Sequence, residues 1–337
     1  MEIARQGSRV LVTGGAGFIG SHLVDRLVAS GARVTVLDNF CNGRMENLTA
    51  ARETGLLDVI RADITDPGVC RDAVRDQMAV FHLACLGVRH SLHDPAENHR
   101  VNATGTLHLL EAARDAGIPR FVYVSSSEVY GTALAFPLTE QSTTWPNTVY
   151  GASKLAGEHY AAAYHICYGT PVIRVRPFNN YGPRAHFEGD SGEVIPRFIL
   201  RALAGLPPVI FGDGSNTRDF LFVRDCADAL VRIAECDALV GDIVNLGYGE
   251  EIAIGALARM VLTATGREHL VPVHEAERPG DVPRLWVDAA KLSGACGWRP
   301  RTDAAEGLRQ TVAYYRELYA ADPACLERIQ ARNWEAP

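Results

Sequence analysis

Short apolar runs alternate with amphipathic stretches along the first half of the chain. The apolar runs have the length of buried strands, and the stretches between them repeat apolar residues at helical spacing. The predicted strands are RVLVT (9–13), RVTVLD (33–38), LLDVIRAD (56–63), AVFHLA (79–84), RFVYVS (120–125) and PVIRVRP (171–177). The predicted helices are 22–31, 67–76, 96–117 and 149–168. This alternation is typical of a parallel, doubly wound α/β sheet.

The regular alternation stops after Pro177. A Gly-rich polar stretch, NNYGPRAHFEGDSGE (179–193), follows directly, and irregular segments of this length often form binding loops. Shorter elements come after it: strands are predicted at 209–211, 218–223 and 242–247, and helices near 194–205, 225–236, 253–265 and 303–320. We therefore predict one domain of residues 1–177 plus about 225–248, and a smaller α/β C-terminal lobe of about 178–224 plus 249–337.

Composition and charge exclude several classes of protein. The 337 residues are 47% hydrophobic and 22% charged, with a net charge of −7 and no block of Lys or Arg that would suit nucleic acid or a membrane surface. No apolar run approaches the ~18 residues of a membrane span, and the N-terminus lacks an apolar signal core. The eight cysteines include no C-x-x-C pair, so we expect no metal site. A cytoplasmic protein is expected.

A glycine-rich turn, TGGAGFIG (13–20), joins the first predicted strand to the first helix. Gly14, Gly17 and Gly20 follow the spacing of a dinucleotide-binding turn, as Gly15, Gly17 and Gly20 also do. Glycine lets the backbone N–H groups approach a pyrophosphate, and the N-terminus of the helix favours the anion. The turn therefore predicts a Rossmann-type domain that binds a dinucleotide.

Two carboxylates end the neighbouring strands. Asp38 closes the second predicted strand, where it could accept hydrogen bonds from both ribose hydroxyls and would repel a 2′-phosphate. This favours NAD over NADP. Asp63 closes the third strand and could bind the adenine amino group, although a strand-end turn residue explains it almost as well.

Tyr150 and Lys154 form a Y-x-x-x-K pair on a predicted helix, and their spacing places both side chains on one face. A free tyrosine has a pKa of about 10, too high for a base at neutral pH. A lysine ammonium one turn away, together with a positively charged nicotinamide ring, would favour the phenolate. The pair follows a polar strand end, SSSEVYG (125–131).

These motifs together resemble the extended short-chain dehydrogenase/reductase family, and within it the NAD-dependent epimerase/dehydratase branch that acts on nucleotide sugars. The resemblance runs from about residue 8 to about 320. It rests on TGGAGFIG, Asp38, HLA (82–84), Asn102 in VNATGT, SSSEVYG, YGASK (150–154), RPFNNYGPR (176–184), IFGDGSNTRDFLFVRD (210–225) and ERPGDVPRLWVD (277–288).

The resemblance implies the roles of the catalytic residues. Tyr150 would take the proton from a sugar hydroxyl, Lys154 would hold the nicotinamide ribose and lower the tyrosine pKa, and Ser126 would share a hydrogen bond with the same hydroxyl. NAD is expected to stay bound through turnover. The expected cofactor-binding residues are Gly14, Gly17, Phe18, Ile19, Gly20, Asp38, Asn39, Asp63, Ile64, Leu83, Ala84, Asn102, Ser125, Tyr150, Lys154 and Pro177.

The resemblance also implies the nucleotide-sugar contacts. Asn179 and Arg218 would contact the diphosphate, and Phe211 would lie against the base. Arg278 would pair with the pyrophosphate and Asp281 would sit at the ribose of the sugar nucleotide. The remaining expected substrate residues are Arg89, Ser126, Ser127 and Arg184.

Local features of the family motifs point to more than one reaction. Ser127 stands where the 4,6-dehydratases carry an aspartic acid, and a serine is a poor general acid, so dehydration is disfavoured. Glu128 is matched in the Thr-Ser-Glu triplet of UDP-glucuronate decarboxylases, and Arg184 in GPR (182–184) resembles those enzymes too. Arg89 in GVR (87–89) instead resembles the 4-epimerases, in which such an arginine can reach a carboxylate.

The sequence therefore predicts a nucleotide-sugar 4-epimerase for a UDP-hexose or a UDP-hexuronate. A UDP-glucuronate decarboxylase is the main alternative, followed by a 4,6-dehydratase. The role of Glu128 differs among these three hypotheses and stays open. Members of the family commonly form dimers through two helices of each subunit, which correspond to 96–117 and 149–168. A homodimer is expected on that resemblance.

Overall fold

Helices and strands alternate along the chain, as the sequence pattern predicts. The computed structural model describes residues 1–277, 282–330, 332 and 334, and only the backbone of Asp190. The strands are β1 (Arg9–Thr13), β2 (Arg33–Asp38), β3 (Leu57–Arg61), β4 (Ala79–His82), β5 (Phe121–Val124), β6 (Val172–Pro177), β7 (Asn179–Tyr181), β8 (Val209–Phe211), β9 (Thr217–Arg218), β10 (Phe220–Phe222), β11 (Ile243–Leu246), β12 (Ile252–Ala253), β13 (Val273–Glu275) and β14 (Arg284–Leu285).

The α-helices are α1 (Phe18–Ala29), α2 (Thr49–Glu53), α3 (Pro67–Ala73), α4 (His90–His93), α5 (Pro95–His99), α6 (Thr106–Asp115), α7 (Val149–Tyr168), α8 (Val194–Leu203), α9 (Val223–Glu235), α10 (Ile254–Thr265), α11 (Ala290–Cys296) and α12 (Ala304–Ala321). A π-helical turn, Arg100–Gly105, lies between α5 and α6. Short 3₁₀ turns cover Met45–Leu48, Ser127–Val129, Gly189–Ser191, Asp237–Leu239 and Pro323–Arg328.

Seven strands form one parallel sheet in the order β3-β2-β1-β4-β5-β6-β11. This is the doubly wound Rossmann-type sheet that the sequence predicts. The strand order reverses between β1 and β4, and ligands of such sheets bind beyond the carboxyl ends of the strands at this switch point. The glycine-rich turn follows β1, so it lies at the same place.

Helices cover both faces of the sheet. Successive residues of a strand point to opposite faces, so neighbouring apolar residues pack in different clusters. Val12 faces α1 and α9 and packs with Leu23 and Leu230. Leu11, the preceding residue, faces α3, α6 and α7 and packs in the cluster that contains Leu110. All of these side chains are fully buried, and each such burial contributes roughly 1.5–3 kcal/mol.

A smaller α/β lobe is built from the later elements. Its helices α8, α10 and α12 pack around a cluster that includes Ile199, Val261 and Tyr315. Three small sheets accompany them: β7 pairs with β10, β8 with β13, and β9 lies between β12 and β14. Strand β11 returns from this region to the edge of the large sheet beside β6.

The helix predicted over 96–117 is interrupted in the structure by the π turn. Within that turn the Asn102 side chain accepts a hydrogen bond from the backbone N–H of Leu86 and donates to the Leu86 carbonyl, to Asn98 and to Ser153. A wider turn of this kind often marks a functional region of a helix. Here it joins the loop after β4 to helix α7.

A neutral histidine is buried at the end of β4. The Nδ1 atom of His82 lies 2.8 Å from the hydroxyl of Thr13, and its Nε2 atom lies 2.8 Å from the hydroxyl of Thr106. Burial and, to a smaller extent, the charge of Lys154 lower the pKa of His82 to about 3. The pair of threonines therefore holds an uncharged ring.

Acidification is expected to destabilise the protein through His82. The unfolded chain binds a proton near the ordinary histidine pKa of 6.5, whereas the folded ring does so only near 3, so stability is lost as the pH falls below about 6.5. Between about pH 7 and pH 5 the free energy of unfolding should fall by about 2 kcal/mol through this residue. Urea unfolding of His82→Gln should lose that share of the pH dependence.

The exposed residue His93 provides the matched control. His93→Gln should keep the full pH dependence of the parent protein. Burial also lowers the pKa of His22 to about 3, but His22 is present in the parent and in both variants, so its contribution is the same in all three proteins. Identical pH dependence in His82→Gln and His93→Gln would contradict the account.

Candidate active site

The glycine-rich turn after β1 leaves no room for side chains. Gly14 has a φ of +69°, and a Cβ atom there would lie 2.7 Å from the backbone nitrogen of Ala84. A Cβ atom on Gly20 would lie 2.2 Å from the carbonyl oxygen of Gly14. Helix α1 begins at this turn without a side-chain cap, so the positive end of the helix faces the cleft and suits an anionic ligand.

Asp38 lines the cleft at the end of β2. Its carboxylate accepts hydrogen bonds from the backbone N–H groups of Ala16, at 2.9 Å, and Phe40, at 2.8 Å. Burial raises the pKa of Asp38, and these two hydrogen bonds lower it. The backbone thus fixes the carboxylate and leaves lone pairs for a ligand hydroxyl, the arrangement expected for a ribose.

Asp63 lies beside the same end of the cleft. It accepts a hydrogen bond from the side chain of Asn39 at 2.8 Å, and the backbone and hydroxyl of Thr65 also donate to it. These hydrogen bonds hold its pKa below the usual value although partial burial opposes them. Asp63 is therefore a turn residue that also lines the cleft. This position fits both of the roles predicted for it, a strand-end turn residue and a contact with the adenine amino group.

Helix α7 packs closely on β5 and thereby places Lys154. A Cβ atom on Gly157 would lie 2.2 Å from the hydroxyl of Tyr123, which donates a hydrogen bond to the Lys154 carbonyl. The ammonium of Lys154 donates to the carbonyl of Val124 at 2.6 Å and lies 4.8 Å from the ring centre of Tyr123. Burial lowers the pKa of Lys154, while Cys85 and Glu158 raise it.

Ser126, Tyr150 and Lys154 line one part of the cleft. The Ser126 hydroxyl accepts a hydrogen bond from the backbone of Glu128, which caps the 3₁₀ turn after β5. Its own proton can therefore be donated to a group in the cleft. Thr148 caps the start of α7 by accepting from Gly151, so the two elements that carry these side chains have fixed ends.

The pKa of Tyr150 differs from the expectation drawn from the Tyr–Lys spacing. Burial raises it well above the value of a free tyrosine, Cys85 and Glu128 raise it further, and a hydrogen bond with Ser126 lowers it. Desolvation disfavours the charged form, and here it outweighs the groups that favour a phenolate. The protein's own groups therefore keep Tyr150 protonated at neutral pH.

The cleft has a volume of about 1120 Å³ and runs from the glycine-rich turn to Phe211. Ser125 supports a polar ligand in its first part, because its buried hydroxyl makes no hydrogen bond with any described group. The predicted residues that line the cleft are Gly14, Gly17, Phe18, Ile19, Gly20, Asp38, Asn39, Asp63, Ile64, Leu83, Ala84, Arg89, Ser125, Ser126, Ser127, Glu128, Tyr150, Lys154, Pro177, Asn179, Phe211 and Arg218.

Two predicted contact residues lie elsewhere. Asn102 is fully buried beneath the cleft, where its hydrogen bonds to Leu86 position the loop after β4. Arg184 pairs with Asp25 of α1 at 2.8 Å. Neither side chain lines the cleft, so a direct ligand contact is not supported by their positions. Arg278 and Asp281 lie outside the described residues.

The structure adds cleft residues that sequence reasoning missed. Cys85 follows the HLA motif directly and is close enough to Tyr150 to affect its pKa. Glu193 precedes α8, and burial raises its pKa to about 8 while Arg89 lowers it. Trp334 comes from the end of the chain. The position of Cys85 beside a motif was a usable signal, and Glu193 ends the stretch 179–193 that was predicted as a binding loop, whereas Trp334 offered no signal.

No group of three or more His, Cys, Asp or Glu side chains in the described part of the chain is placed to hold a metal ion. Among the helices described, none is long and apolar enough to cross a membrane.

Comparison with known proteins places the chain among nucleotide-sugar enzymes. The family model described as GDP-mannose 4,6 dehydratase matches residues 11–311. UDP-glucose 4-epimerase of Mycolicibacterium smegmatis is 40% identical over 91% of this chain and 98% of that protein. UDP-glucuronic acid decarboxylase 2 of Arabidopsis thaliana is 36% identical over 96% of this chain and 71% of that protein.

An enzyme with a third activity has a solved structure of the same fold. The dTDP-glucose 4,6-dehydratase of Streptomyces venezuelae, solved with NAD bound, superposes with a TM-score of 0.87 at 34% identity and covers 94% of this chain and 99% of its own. Epimerases, decarboxylases and dehydratases are thus similar to this chain at comparable identity.

Proposed function

From the premise that the chain belongs to the NAD-dependent epimerase/dehydratase family of extended short-chain dehydrogenases/reductases, we propose that it is a nucleotide-sugar 4-epimerase for a UDP-hexose or a UDP-hexuronate. The observation that carries the proposal is the pair of serines after β5. Ser126 forms a hydrogen bond with Tyr150, and Ser127, which stands where the 4,6-dehydratases carry an acid, lines the same cleft and is a poor general acid near neutral pH. A 4-epimerase needs one group that removes and returns a single proton, and Tyr150 supplies it.

NAD is the cofactor, and when bound it supplies a hydride acceptor and a positively charged ring beside Tyr150. The glycine-rich turn would hold its pyrophosphate, and Asp38 would hold its adenosine ribose. Lys154 donates one of its three ammonium N–H groups to the Val124 carbonyl. The other two would donate to the ribose on the nicotinamide side of NAD. Ser125 also lines the cleft, and because its buried hydroxyl makes no hydrogen bond with any described group, the bound cofactor would supply a partner for it.

Because burial alone keeps Tyr150 protonated, the charges of Lys154 and of the bound nicotinamide ring would have to favour its phenolate, which would then take the proton of the sugar C4 hydroxyl as that carbon is oxidised. Ser126 would orient the hydroxyl by donating its own proton to the oxygen. The hydride removed from C4 would be returned to the opposite face of the 4-keto sugar once the sugar has turned, and Tyr150 would return the proton to the C4 oxygen. Asn179 and Arg218 would anchor the diphosphate during the turn, since charge-assisted hydrogen bonds from an arginine suit phosphate oxygens.

A second function is supported by Glu128. Its carboxylate is close enough to Tyr150 to raise the tyrosine pKa, and a carboxylate in this place is also the feature that the chain shares with UDP-glucuronate decarboxylases. Decarboxylation would begin with the same oxidation at C4. It differs in that the carboxylate of the sugar leaves as CO₂, which requires a hexuronate substrate.

A panel of UDP-, TDP- and GDP-sugars, read by NMR and mass spectrometry, tests the proposal. A 4-epimerase converts one substrate into its C4 epimer with no change in mass. Loss of CO₂ with formation of a pentose would instead establish the decarboxylase, and loss of water would establish the dehydratase. Retained NAD without turnover of any sugar would contradict all three reactions.

Asp38→Asn is expected to weaken NAD binding by about 10- to 100-fold, because hydrogen bonds to a charged acceptor contribute about 1.5–3 kcal/mol. Discrimination against NADP should fall as well, since the charge that repels a 2′-phosphate is removed. Isothermal titration of the NAD-free protein with each cofactor measures both effects. Asp58→Asn, on the exposed face of β3, is the matched control and should change neither. Unchanged affinity of Asp38→Asn for NAD would overturn the assignment.

A further inference from the structure

The segment that follows α12 returns to the cleft. After α12 ends at Ala321, the 3₁₀ turn Pro323–Arg328 redirects the chain, and Leu326, Ile329 and Trp334 line the cleft. The family model matches residues 11–311, so these side chains lie outside the matched range. The match to that model therefore assigns them no role.

Two contacts hold this segment against neighbouring strands. The ring of Trp334 meets that of Phe211 on β8 at a centroid distance of 4.6 Å and an angle of 90°. The guanidinium of Arg332 lies 3.6 Å from the carboxylate of Glu275 on β13. Phe211 and Glu275 are register partners in the β8–β13 pair, so both contacts are made at one point of this small sheet. The exposed ion pair is worth little, so the aromatic contact is the stronger of these two.

The chemistry of this end of the cleft differs from that of the rest. Phe211 and Trp334 are two aromatic walls at right angles, and Ile210 and Val209 extend the apolar surface beside them. Such a corner can enclose a planar heterocycle by stacking and edge contacts, and stacking on aromatic rings tolerates different bases. The carboxylates of the glycine-rich end lie at the opposite end of the cleft.

We propose that Trp334 binds the base of the nucleotide sugar together with Phe211 and thereby completes the nucleotide subsite. The inference rests on the proposed function, because it assigns the nucleotide end of the same cleft. It adds a residue that contacts the substrate and that no comparison with the family supplies. Trp334 should therefore affect binding of the nucleotide rather than the chemical step.

Isothermal titration of Trp334→Ala with UDP, TDP and GDP tests the inference, with the diphosphate that the parent protein binds most tightly used for comparison. The dissociation constant should rise by about 10- to 100-fold, as expected when a base loses an aromatic partner. Trp334→Phe should recover most of the affinity. In turnover assays KM should rise and kcat should stay unchanged. Trp145→Ala is the matched control, because this tryptophan is 76% exposed and lies outside the cleft.

The melting temperature and the NAD content of each variant distinguish the loss of the nucleotide subsite from a loss of folding stability or of cofactor binding. The inference predicts that both stay at the parent values in Trp334→Ala. It is overturned if Trp334→Ala binds the diphosphate as tightly as the parent, if NAD content falls together with the affinity, or if the parent binds none of the three diphosphates. Because binding is measured without turnover, a Trp334 effect in a protein that epimerises no sugar would retain this inference and reject only the proposed reaction.

Discussion

Tyr150→Phe is expected to lower kcat by about 10³-fold on the true substrate while leaving substrate and NAD affinity within a few-fold of the parent. The substitution removes one oxygen and keeps the ring, so the packing of α7 is preserved. What is lost is the group that takes and returns the proton of the C4 hydroxyl. Steady-state kinetics together with the NAD content of the purified variant measure the effect.

The control for this substitution lies on the same helix. Tyr168 is 57% exposed near the end of α7 and lies outside the cleft, so Tyr168→Phe should turn over at the parent rate. If Tyr150→Phe kept near-parental turnover, the base would have to be another residue and the proposed mechanism would be wrong.

Glu158→Gln is expected to cost about 3–5 kcal/mol of stability, the largest loss that we predict from a single isosteric change. Glu158 accepts two hydrogen bonds from Arg176, at 2.9 and 2.7 Å, and both side chains are buried. Glutamine keeps the shape but leaves the guanidinium without a counter-charge in an apolar setting. Urea unfolding at neutral pH measures the loss.

The pair also links the helix that carries the proposed base to the large sheet. Glu158 lies on α7, one turn after Lys154, and Arg176 lies on β6. Arg176 donates a further hydrogen bond to the hydroxyl of Tyr130, which donates to Asn245 on β11. The network therefore ties the helix that carries the proposed base to two strands of the large sheet.

A matched exposed pair checks the role of burial. Glu306 and Arg309 on α12 also form two hydrogen bonds, but both side chains are exposed. Glu306→Gln should cost far less stability than Glu158→Gln, because exposed ion pairs contribute little. Equal losses in Glu158→Gln and Glu306→Gln would contradict the argument that desolvation sets the size of the effect.

The large sheet could be predicted because its signals are local. Each strand is an apolar run that can be delimited from the residues around it. The spacing of the glycines in the turn at 13–20 predicts a dinucleotide ligand. The strands β9, β12 and β14 were not predicted separately, since each has only two residues and exists through pairing with distant partners. Sequence reasoning sees such pairing only when one partner has a strong pattern of its own.

The candidate site shows the same limit at the level of side chains. The motif residues Ser126, Tyr150 and Lys154 could be assigned because they lie on two predicted elements that the fold brings together. Asn102 was placed in a ligand contact, and only the structure reveals the three-dimensional network that holds it beneath the cleft. The pairing of Arg184 with Asp25 could not be predicted for a similar reason, because the two residues are far apart in the sequence.

Electrostatic balance was the least predictable feature. The Tyr150–Lys154 spacing gives the direction of one interaction, but burial of the tyrosine gives a larger shift of the opposite sign. Burial depends on the whole fold, including the Cys85 loop and the elements that enclose the cleft. The same dependence on the fold applies to Glu193, whose pKa rises to about 8.

The fate of a deuterium label tests the central claim most directly. A nucleotide sugar that the panel identifies as a substrate is prepared with deuterium at C4, incubated in ordinary water, and followed by NMR; a parallel sample of unlabelled substrate is incubated in heavy water. We predict a product that is inverted at C4, keeps its label there and takes up no solvent deuterium at C5. Migration of the label to C6, or solvent deuterium at C5, would contradict a 4-epimerase and identify dehydration or decarboxylation as the reaction of this protein.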